Sequence, residues 1–396
     1  MTIASTAFMA AAGGYSTTLA VKLDKIDMSQ ALAAVLKGDR QLLGHIKMGP
    51  PAHNVEVNWL EDELNAAYVM ASGDASTAVT LTSPTVVASV TRLLRNGSLL
   101  QPNGTEFIVQ IDETPTKNTI SCAPYGSTTW AAFATATKCW IVGNPYTDVA
   151  DASSDVSLSR TKRKNFTQIF ERAIEITQTR KNMDMEAVVN ELQLQTKRRT
   201  MEIKRELDIA VCRSYAYANS GVSGDLGRRT MAGLLQLIFD PNLDNTNQSD
   251  TIVQASAALT IGRINSLCYK IWDMGGFDET ADPVIVVGPK QARVISAFED
   301  SLRRHEQGER QVGYYKNIFL SDMGVELPIV LDRWFPDDKL CIMDRSRTAL
   351  RPLQGDSWHL EKMAKTGRNE KWQLSGQYTL EVRNGGEAHG IIYDLT

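Results

Sequence analysis

The chain has 396 residues, of which 43% are apolar and 22% are charged, and its formal net charge is −4. This composition is ordinary for a folded protein of two or three domains, and the near-neutral charge argues against a protein that binds nucleic acid through a strongly basic surface. No run of about 18 apolar residues occurs, so no membrane-spanning helix is predicted. The five cysteines are widely spaced without a CxxC pair, which argues against zinc ribbons and redox pairs and predicts reduced, mostly buried thiols.

Residues 1–45 are interpreted as an N-terminal arm, because they begin with small apolar residues and contain one short predicted helix, MSQALAAVLKGD. Ser29 is a suitable cap for that helix, and Gly38 is a suitable residue to end it. There is no Lys or Arg before Lys22, so the arm lacks the basic start of a secretory signal.

After the break GPPAHN, Val55, Val57 and Trp59 alternate with polar residues, which predicts a β-strand. Residues 72–150 are rich in Thr, Ser, Ala and Gly, and their repeated turn signals, such as Asn-Gly, predict a small β-rich insertion. A polar linker follows, and NFTQIF (165–170) then opens a second predicted strand.

Residues 183–219 contain no Gly and no Pro, and as one helix they would extend about 55 Å at roughly 1.5 Å per residue. An apolar seam begins at Met185, is interrupted by Thr196 and Arg199, and resumes at Ile203. A coiled coil needs an apolar seam that is sustained over several heptads. The pattern therefore predicts a spine helix that packs each end on a different body.

Charge is concentrated before and within this helix, with seven basic against two acidic residues between 160 and 181. One interpretation is a solvated helix face with i,i+4 pairs such as Arg198–Glu202 and Lys204–Asp208. The other is a surface that meets acidic patches on neighbouring copies. The sequence leaves both interpretations open.

Helical and strand segments are mixed beyond the spine helix. MAGLLQLIF predicts a short helix, and residues 251–274 are also predicted to be helical. DPVIVVGPKQARVISAFEDSLRRHE predicts a buried strand, a turn and a helix with Pro289 in its first turn. VELPIVL and KLCIMD predict short strands, and the C-terminal segment is mostly strand. The fold class is α+β, without the regular alternation of a doubly wound sheet.

Motifs that approach known catalytic or nucleotide-binding signatures are incomplete. VVGPK has one Gly, and Gln291 stands where a phosphate loop has Ser or Thr. GVSGD lacks the Gly that follows a nucleophilic serine by two positions, so Ser223 is not predicted to be catalytic. The histidines show no metal-binding spacing, and Asp337 and Asp338 are typical of a solvated loop. No enzyme activity, metal or cofactor is therefore predicted.

Six segments follow one another in an order that resembles a known family. They are WLEDEL (59–64), NFTQIF (165–170), the spine helix, GRRTMAGL (227–234), VIVVGPKQ (284–291) and EKMAKTGRNEKWQLSGQYTLEVRNGGEAHGIIYDLT (361–396). This order resembles the major capsid, or major head, proteins of tailed bacteriophages, which have the Hong Kong 97 fold. The resemblance runs from about residue 45 to the end.

The resemblance implies a division of the chain into the parts of that fold. These are an N-terminal arm (1–45), an extended loop (46–180) with the β-rich insertion (72–150), a peripheral domain (181–250) with the spine helix (184–219), an axial domain (251–340), and C-terminal strands that complete the peripheral domain (341–396).

The resemblance also implies which residues contact neighbouring subunits. On the extended loop they are Trp59, Leu60, Leu64, Phe166, Ile169 and Phe170. The charged face of the spine helix, with Arg198, Arg199, Glu202, Lys204 and Arg205, is expected to be free to face the shell wall or neighbouring subunits. If Trp59 anchors the loop to a neighbour, Trp59→Ala should impair shell assembly more than subunit folding.

The implied function is a structural one: hexamers and pentamers of this chain would build an icosahedral head around double-stranded DNA, contacted non-specifically, in the host bacterial cytoplasm. Only about 45 residues precede the loop, which favours a separate scaffolding protein over a built-in one; a portal and a decoration protein are further expected partners. Two alternatives remain at this point: an encapsulin-like nanocompartment shell, and an α+β enzyme with an unrecognised site.

Overall fold

The computed structural model describes residues 41–62, 67–73, 78–81, 94–112, 119–126, 132–146, 148, 160–182, 191–218, 228–243, 251–298, 303–307, 315–365 and 367–396. The predicted helix of the arm and Leu64 lie outside these ranges. The helices are α1 (Gln41–His45), α2 (Gln178–Asn182), α3 (Glu191–Arg213), α4 (Leu234–Phe239), α5 (Ile261–Asp273) and α6 (Pro289–Ser296).

The strands of the first half of the chain are β1 (Lys47–Met48), β2 (Glu56–Glu61), β3 (Tyr68–Gly73), β4 (Ala78–Leu81), β5 (Leu99–Pro102), β6 (Val109–Ile111), β7 (Thr119–Pro124), β8 (Phe133–Gly143), β9 (Thr161–Phe166) and β10 (Gln168–Thr177). Those of the second half are β11 (Tyr217–Ala218), β12 (Arg229–Thr230), β13 (Ile252–Ala257), β14 (Pro283–Val287), β15 (Arg303–Gln307), β16 (Tyr315–Leu320), β17 (Glu326–Leu331), β18 (Leu340–Asp344), β19 (Thr348–Pro352), β20 (His359–Lys362), β21 (Asn369–Val382) and β22 (Gly390–Leu395).

The chain divides into two compact units. One is Asn58–Lys164, and the other combines the described residues up to Val57 with those from Asn165 to Thr396. The second unit contains a five-stranded sheet, a seven-stranded sheet and all six described helices. The combination of helices and several sheets confirms the α+β class.

A closed six-stranded barrel is the main element of the Asn58–Lys164 unit, with strand order β3-β4-β7-β6-β5-β8. Its core consists of small and medium apolar side chains, among them Val69, Leu100, Ile111 and Ile120. The turn predicted at Asn103-Gly104 is confirmed, and Gly104 has a positive φ of 79° that favours glycine there. Closure leaves no free strand edge, which limits unintended pairing with other chains.

The five-stranded sheet has the order β1-β19-β21-β10, with β20 also paired to β21. Strand β10 pairs antiparallel with β21 from Gln168↔Tyr378 to Thr177↔Asn369. Helix α3 packs on this sheet through the C-terminal half of its length, where Ile203, Leu207 and Val211 are buried. The core of this part of the molecule therefore lies between α3 and the sheet.

The spine helix was predicted to span 184–219, and the predicted C-terminal end is wrong because α3 ends at Arg213. Residues 184–190 lie outside the described part. The helix ends there because backbone groups that follow it bond to residues outside the helix. Gly233 N donates to Ser214 O at 2.7 Å, and β11 pairs with β12. No local Gly or Pro marks this end.

The seven-stranded sheet has the order β13-β22-β18-β14-β17-β16-β15. Helix α5 contributes Ile264, Leu267 and Ile271 to its core, and α6 contributes Ile295. The strand, turn and helix predicted over VIVVGPKQ are confirmed by β14 and α6, with Pro289 as the first helical residue.

Two expectations are wrong in this sheet. The predicted helix 251–274 begins with strand β13, which pairs parallel with β22, and α5 starts only at Ile261. The C-terminal segment 341–396 was predicted to complete a single domain. Its strands β19, β20 and β21 join the five-stranded sheet, whereas β18 and β22 belong to the seven-stranded sheet. Gly390 lets β22 lie close to α5, because a Cβ there would be 2.6 Å from the Leu267 side chain.

All five cysteines are free and buried, which confirms the prediction for the thiols. Burial raises the pKa of the Cys139 and Cys268 thiols to about 11. Within the described ranges, no helix is both long and apolar enough to cross a membrane.

Candidate assembly surfaces

Strands β2 and β9 form a two-stranded ribbon in which β2 alternates between buried and exposed residues. Leu60 faces outward and is 63% exposed, whereas Trp59 is only 8% exposed. The alternation predicted from Val57 and Trp59 is thus confirmed. However, the expectation that Trp59 contacts a neighbour conflicts with its burial, because its ring already lies inside its own chain. Leu60 is the apolar residue of β2 that is available to another molecule.

A polar cluster accompanies the buried Trp59 ring. Its Nε1 donates to Glu61 Oε1 at 3.0 Å, and Glu61 Oε2 lies 2.8 Å from Arg163 Nε on β9. The Glu61 side chain is 3% exposed, and contacts within the chain such as these stabilise it there. The cluster joins the two strands of the ribbon, and sequence reasoning missed it because Glu61 and Arg163 are 102 positions apart.

The returning strand predicted at 165–170 is two strands rather than one. Phe166 is the last residue of β9, but Ile169 and Phe170 lie on β10 in the five-stranded sheet. The assignment of Ile169 and Phe170 to the extended loop, and the loop end at 180, are therefore wrong. Phe170 is 1% exposed and packs 6.4 Å from the Trp358 ring, while Ile169 is 55% exposed.

The change of partner occurs at Asn165 and Thr167, which are both fully buried. Asn165 Nδ2 donates to Ala232 O at 3.1 Å and to Leu380 O at 2.6 Å, and Thr167 N donates to Val55 O at 2.9 Å. A buried amide with these partners fixes the backbone, so the strand that follows pairs with β21.

The charged face predicted on the spine helix is partly paired within the chain. Arg199 forms an ion pair with Glu202 at 2.6 Å, in place of the predicted Arg198–Glu202 pair. The Arg205 guanidinium lies 5.9 Å from the centre of the Trp334 ring. The predicted Lys204–Asp208 pair is also wrong.

Asp208 is buried and accepts a hydrogen bond from Leu43 N at 2.9 Å, so it faces α1 rather than the solvent side of α3. Lys204 is left without an ion pair among the described residues and instead lines a groove beside β20. Part of the predicted charged face is therefore paired within the chain, and the interpretation that the rest of it meets neighbouring copies stays a prediction.

An exposed aromatic patch, which the sequence analysis missed, lies at the C-terminal end of α5. Tyr269 and Trp272 are each more than half exposed, and their ring centroids are 6.3 Å apart. Met274 continues the patch. Sequence periodicity could have found it, because residues 269 and 272 lie one helical turn apart on the face opposite Leu267 and Ile271.

Two titratable side chains that no motif singled out are buried in the structure. His389 is buried, accepts from Asp344 N at 3.1 Å through Nδ1, and lies 3.1 Å from Arg383 O through Nε2. Asp332 is also buried, and desolvation raises the pKa of its carboxyl group. Ser223 lies outside the described residues, and no cluster of three potential metal ligands occurs among those described.

Comparison with known proteins gives one family and several solved structures. A family model described as SU10 major capsid protein matches residues 11–396. The capsid of an empty GTA particle matches with a TM-score of 0.54 at 10% identity, over 97% of this chain and 100% of that chain. The capsid asymmetric unit of Cyanophage A-1(L) matches with a TM-score of 0.54 at 10% identity, over 96% of this chain and 100% of that chain.

A weaker match is the holo-SrpI encapsulin complex from Synechococcus elongatus, with a TM-score of 0.41 at 11% identity, over 60% of this chain and 78% of that chain. No curated protein matches the chain. At 10% identity, the similarity to the two capsid structures shows the fold of this chain, which is the Hong Kong 97 type.

Proposed function

We propose a role in a shell for each part of this molecule. The premise is that the chain belongs to the SU10 major capsid protein family. It is a building block of an icosahedral bacteriophage capsid, it associates with copies of itself, and it is part of the virion shell. The family match over residues 11–396 is the observation that carries this function, and it favours a phage head over a nanocompartment.

The ribbon β2–β9 and the barrel together act as the extended loop that lies over a neighbouring subunit. The support is the compact Asn58–Lys164 unit and the outward-facing, 63% exposed Leu60. A two-stranded ribbon has little core of its own, so contact with a second subunit would add buried apolar area. The barrel corresponds to the β-rich insertion predicted at 72–150.

The five-stranded sheet with α3 acts as the peripheral domain, and the seven-stranded sheet with α5 and α6 acts as the axial domain. In the axial domain, the exposed Tyr269 and Trp272 are suited to contacts around five-fold and six-fold axes, since aromatic side chains are enriched at interfaces. Pentamers and hexamers built in this way would close into the icosahedral shell.

The chain acts without catalysis, and its partners are a separate scaffolding protein, a portal, a decoration protein and packaged double-stranded DNA. Assembly takes place in the host bacterial cytoplasm. The DNA contact is weak, because the near-neutral net charge of −4 supplies few cationic contacts to phosphate, and non-specific, because phosphate contacts carry no sequence information.

The test is expression of the full chain in bacteria, with and without the genes encoded beside it, followed by electron microscopy of the purified material. We expect correct closed shells only when a scaffolding gene is co-expressed. Closed shells of uniform size from the chain alone would contradict the separate scaffold. A chain that stays monomeric under every condition would contradict the shell function itself.

A further inference from the structure

A groove of about 580 Å³ lies between α3 and the five-stranded sheet. Its apolar residues come from three elements: Leu192 and Met201 from α3, Leu360 from β20 and Trp372 from β21. All four residues of β20 are exposed, and the Leu360 side chain is 41% exposed. The groove is therefore an apolar surface that the described part of the chain leaves uncovered.

The charge of the groove has one sign. Among the described residues, Lys197 and Lys204 line it and no carboxylate does. The two lysines are seven residues apart on α3, so they stand on one helix face about 10 Å apart along the axis. Neither forms an ion pair with any residue that the structure describes. Two cations that lack counter-ions beside an apolar wall favour an anionic ligand that also has an apolar side.

The Trp372 indole, in the wall of the groove, carries an unpaired donor. Its Nε1 atom is buried and has no hydrogen-bond acceptor among the described residues. Lys362 of β20 lies 5.3 Å from the ring centre, but its charge is paired with Glu370 at 3.8 Å, so the available cations of the groove are Lys197 and Lys204. Buried N–H groups are nearly always paired, so an unpaired one is consistent with an acceptor that a bound molecule would supply.

We propose that this groove binds an acidic, amphipathic segment of a second protein that assembles with the shell. Carboxylates of the segment would face Lys197 and Lys204, and its apolar side chains would cover Leu360 and Met201. The proposal rests on the proposed function, in which a separate scaffolding protein takes part in assembly. It adds the place and the chemistry of that contact, in the manner of a helix or strand docking in a groove.

Charge makes another copy of this chain a poor occupant. The ribbon, which is the part proposed to reach a neighbour, exposes Lys162 and Lys164 on β9. These residues have the same sign as the groove lysines, and like charges placed together at an interface oppose binding. DNA is disfavoured for a different reason, because a phosphate backbone offers no apolar surface to Leu360 and Met201.

The experiment uses the purified, unassembled full chain and a displayed library of random 16-residue peptides. We expect the enriched peptides to have a net negative charge and apolar residues on one side. For a fluorescein-labelled enriched peptide, the double variant Lys197→Glu/Lys204→Glu should weaken binding at least about tenfold in fluorescence anisotropy, because two charge-assisted contacts become repulsive.

Two further variants separate the groove from general electrostatics. Trp372→Phe keeps the ring but removes the N–H, and should weaken binding about threefold. Lys290→Glu, which changes an exposed lysine of α6 away from the groove, should leave binding unchanged. Circular dichroism of each variant shows that it is folded before binding is compared.

Several results would overturn the proposal. Enriched peptides without net negative charge, or peptides that bind the double variant as well as the wild type, would exclude acidic recognition. Displacement of the peptide by a 20-base-pair duplex would assign the groove to DNA. If the wild-type chain forms assemblies by itself and the double variant does not, the groove belongs to a second copy. Failure of the proposed function appears separately, as a wild-type chain that never assembles.

Discussion

Strands β9 and β10 are separated only by Thr167, yet they are supported in different ways. β9 pairs with β2 alone in a two-stranded ribbon, whereas β10 pairs along its whole length with β21 and is covered by α3. A two-stranded ribbon is marginal in isolation, so its stability depends on a few side chains or on another molecule. β10 has a continuous core instead. The comparison suggests that β10 holds the subunit together and that the ribbon serves contacts outside it.

The largest effect is expected for Phe170→Ala on β10. The ring is 1% exposed, and its removal leaves a cavity in the five-stranded sheet. We expect a loss of about 3–5 kcal/mol in the free energy of unfolding, measured by urea denaturation. The neighbouring Ile169→Ala is the control, because Ile169 is exposed and should change stability by less than about 0.5 kcal/mol. Equal losses for the two variants would show that β10 is not packed as described.

A smaller, local effect is expected for Trp59→Ala on the ribbon. Trp59 is buried and bonded to Glu61, so its loss should destabilise the ribbon by about 2–3 kcal/mol, less than in a sheet core. Hydrogen exchange should speed up in β2 and β9 while the barrel strands stay protected. This replaces the sequence-based expectation that Trp59→Ala acts mainly on assembly. Unchanged exchange in β9, together with lost assembly, would restore that expectation.

Leu60→Asp tests the other face of the same strand. Leu60 is exposed, so the free energy of unfolding should change by less than about 0.5 kcal/mol. Assembly should nevertheless fail or slow, because a charge would be buried where the neighbour covers an apolar side chain. Light scattering under assembly conditions measures this effect. Asn58→Asp, at an exposed position on the same face, is the matched charge control and should assemble.

The contrast between Trp59 and Leu60 also shows what the sequence could predict. Alternation over Val55–Trp59 predicted the strand, and VIVVGPKQ predicted a strand followed by a helix, because both signals are local. The ion pair of Glu61 with Arg163 and the pairing of β10 with β21 depend on residues far apart in the chain. The end of α3 at Arg213 was missed for the same reason, since the backbone contact of Ser214 with Gly233 decides it.

The strand β13 was missed because it has only six residues and is followed directly by a helical pattern, so the alternation of its apolar residues with Gln254 and Ser256 was too short to separate the two. Its parallel partner β22 comes from the end of the chain, which the sequence does not reveal. Among the candidate assembly residues, the sequence included Leu60, which the structure leaves exposed. It did not separate Leu60 from the buried Phe170, because both are large apolar residues and exposure is set by the folded neighbours.

The smallest effect concerns the thiols, which are buried in both units. Burial raises the pKa of Cys139 in the barrel and of Cys268 in α5 to about 11, so little thiolate forms at pH 8. We expect Ellman's reagent to react slowly with the native chain and fully with all five thiols in urea. Rapid native reaction of Cys139 alone would show that the barrel opens more readily than the sheets.

The most direct test of the central claim is a cryo-EM map of the assembled shell at side-chain resolution. The account predicts that the ribbon lies on a neighbouring subunit, with Leu60 in contact with that neighbour and Trp59 bonded to Glu61 of its own chain. A map in which the ribbon contacts only its own subunit, or in which Trp59 rather than Leu60 enters the neighbour, would contradict it.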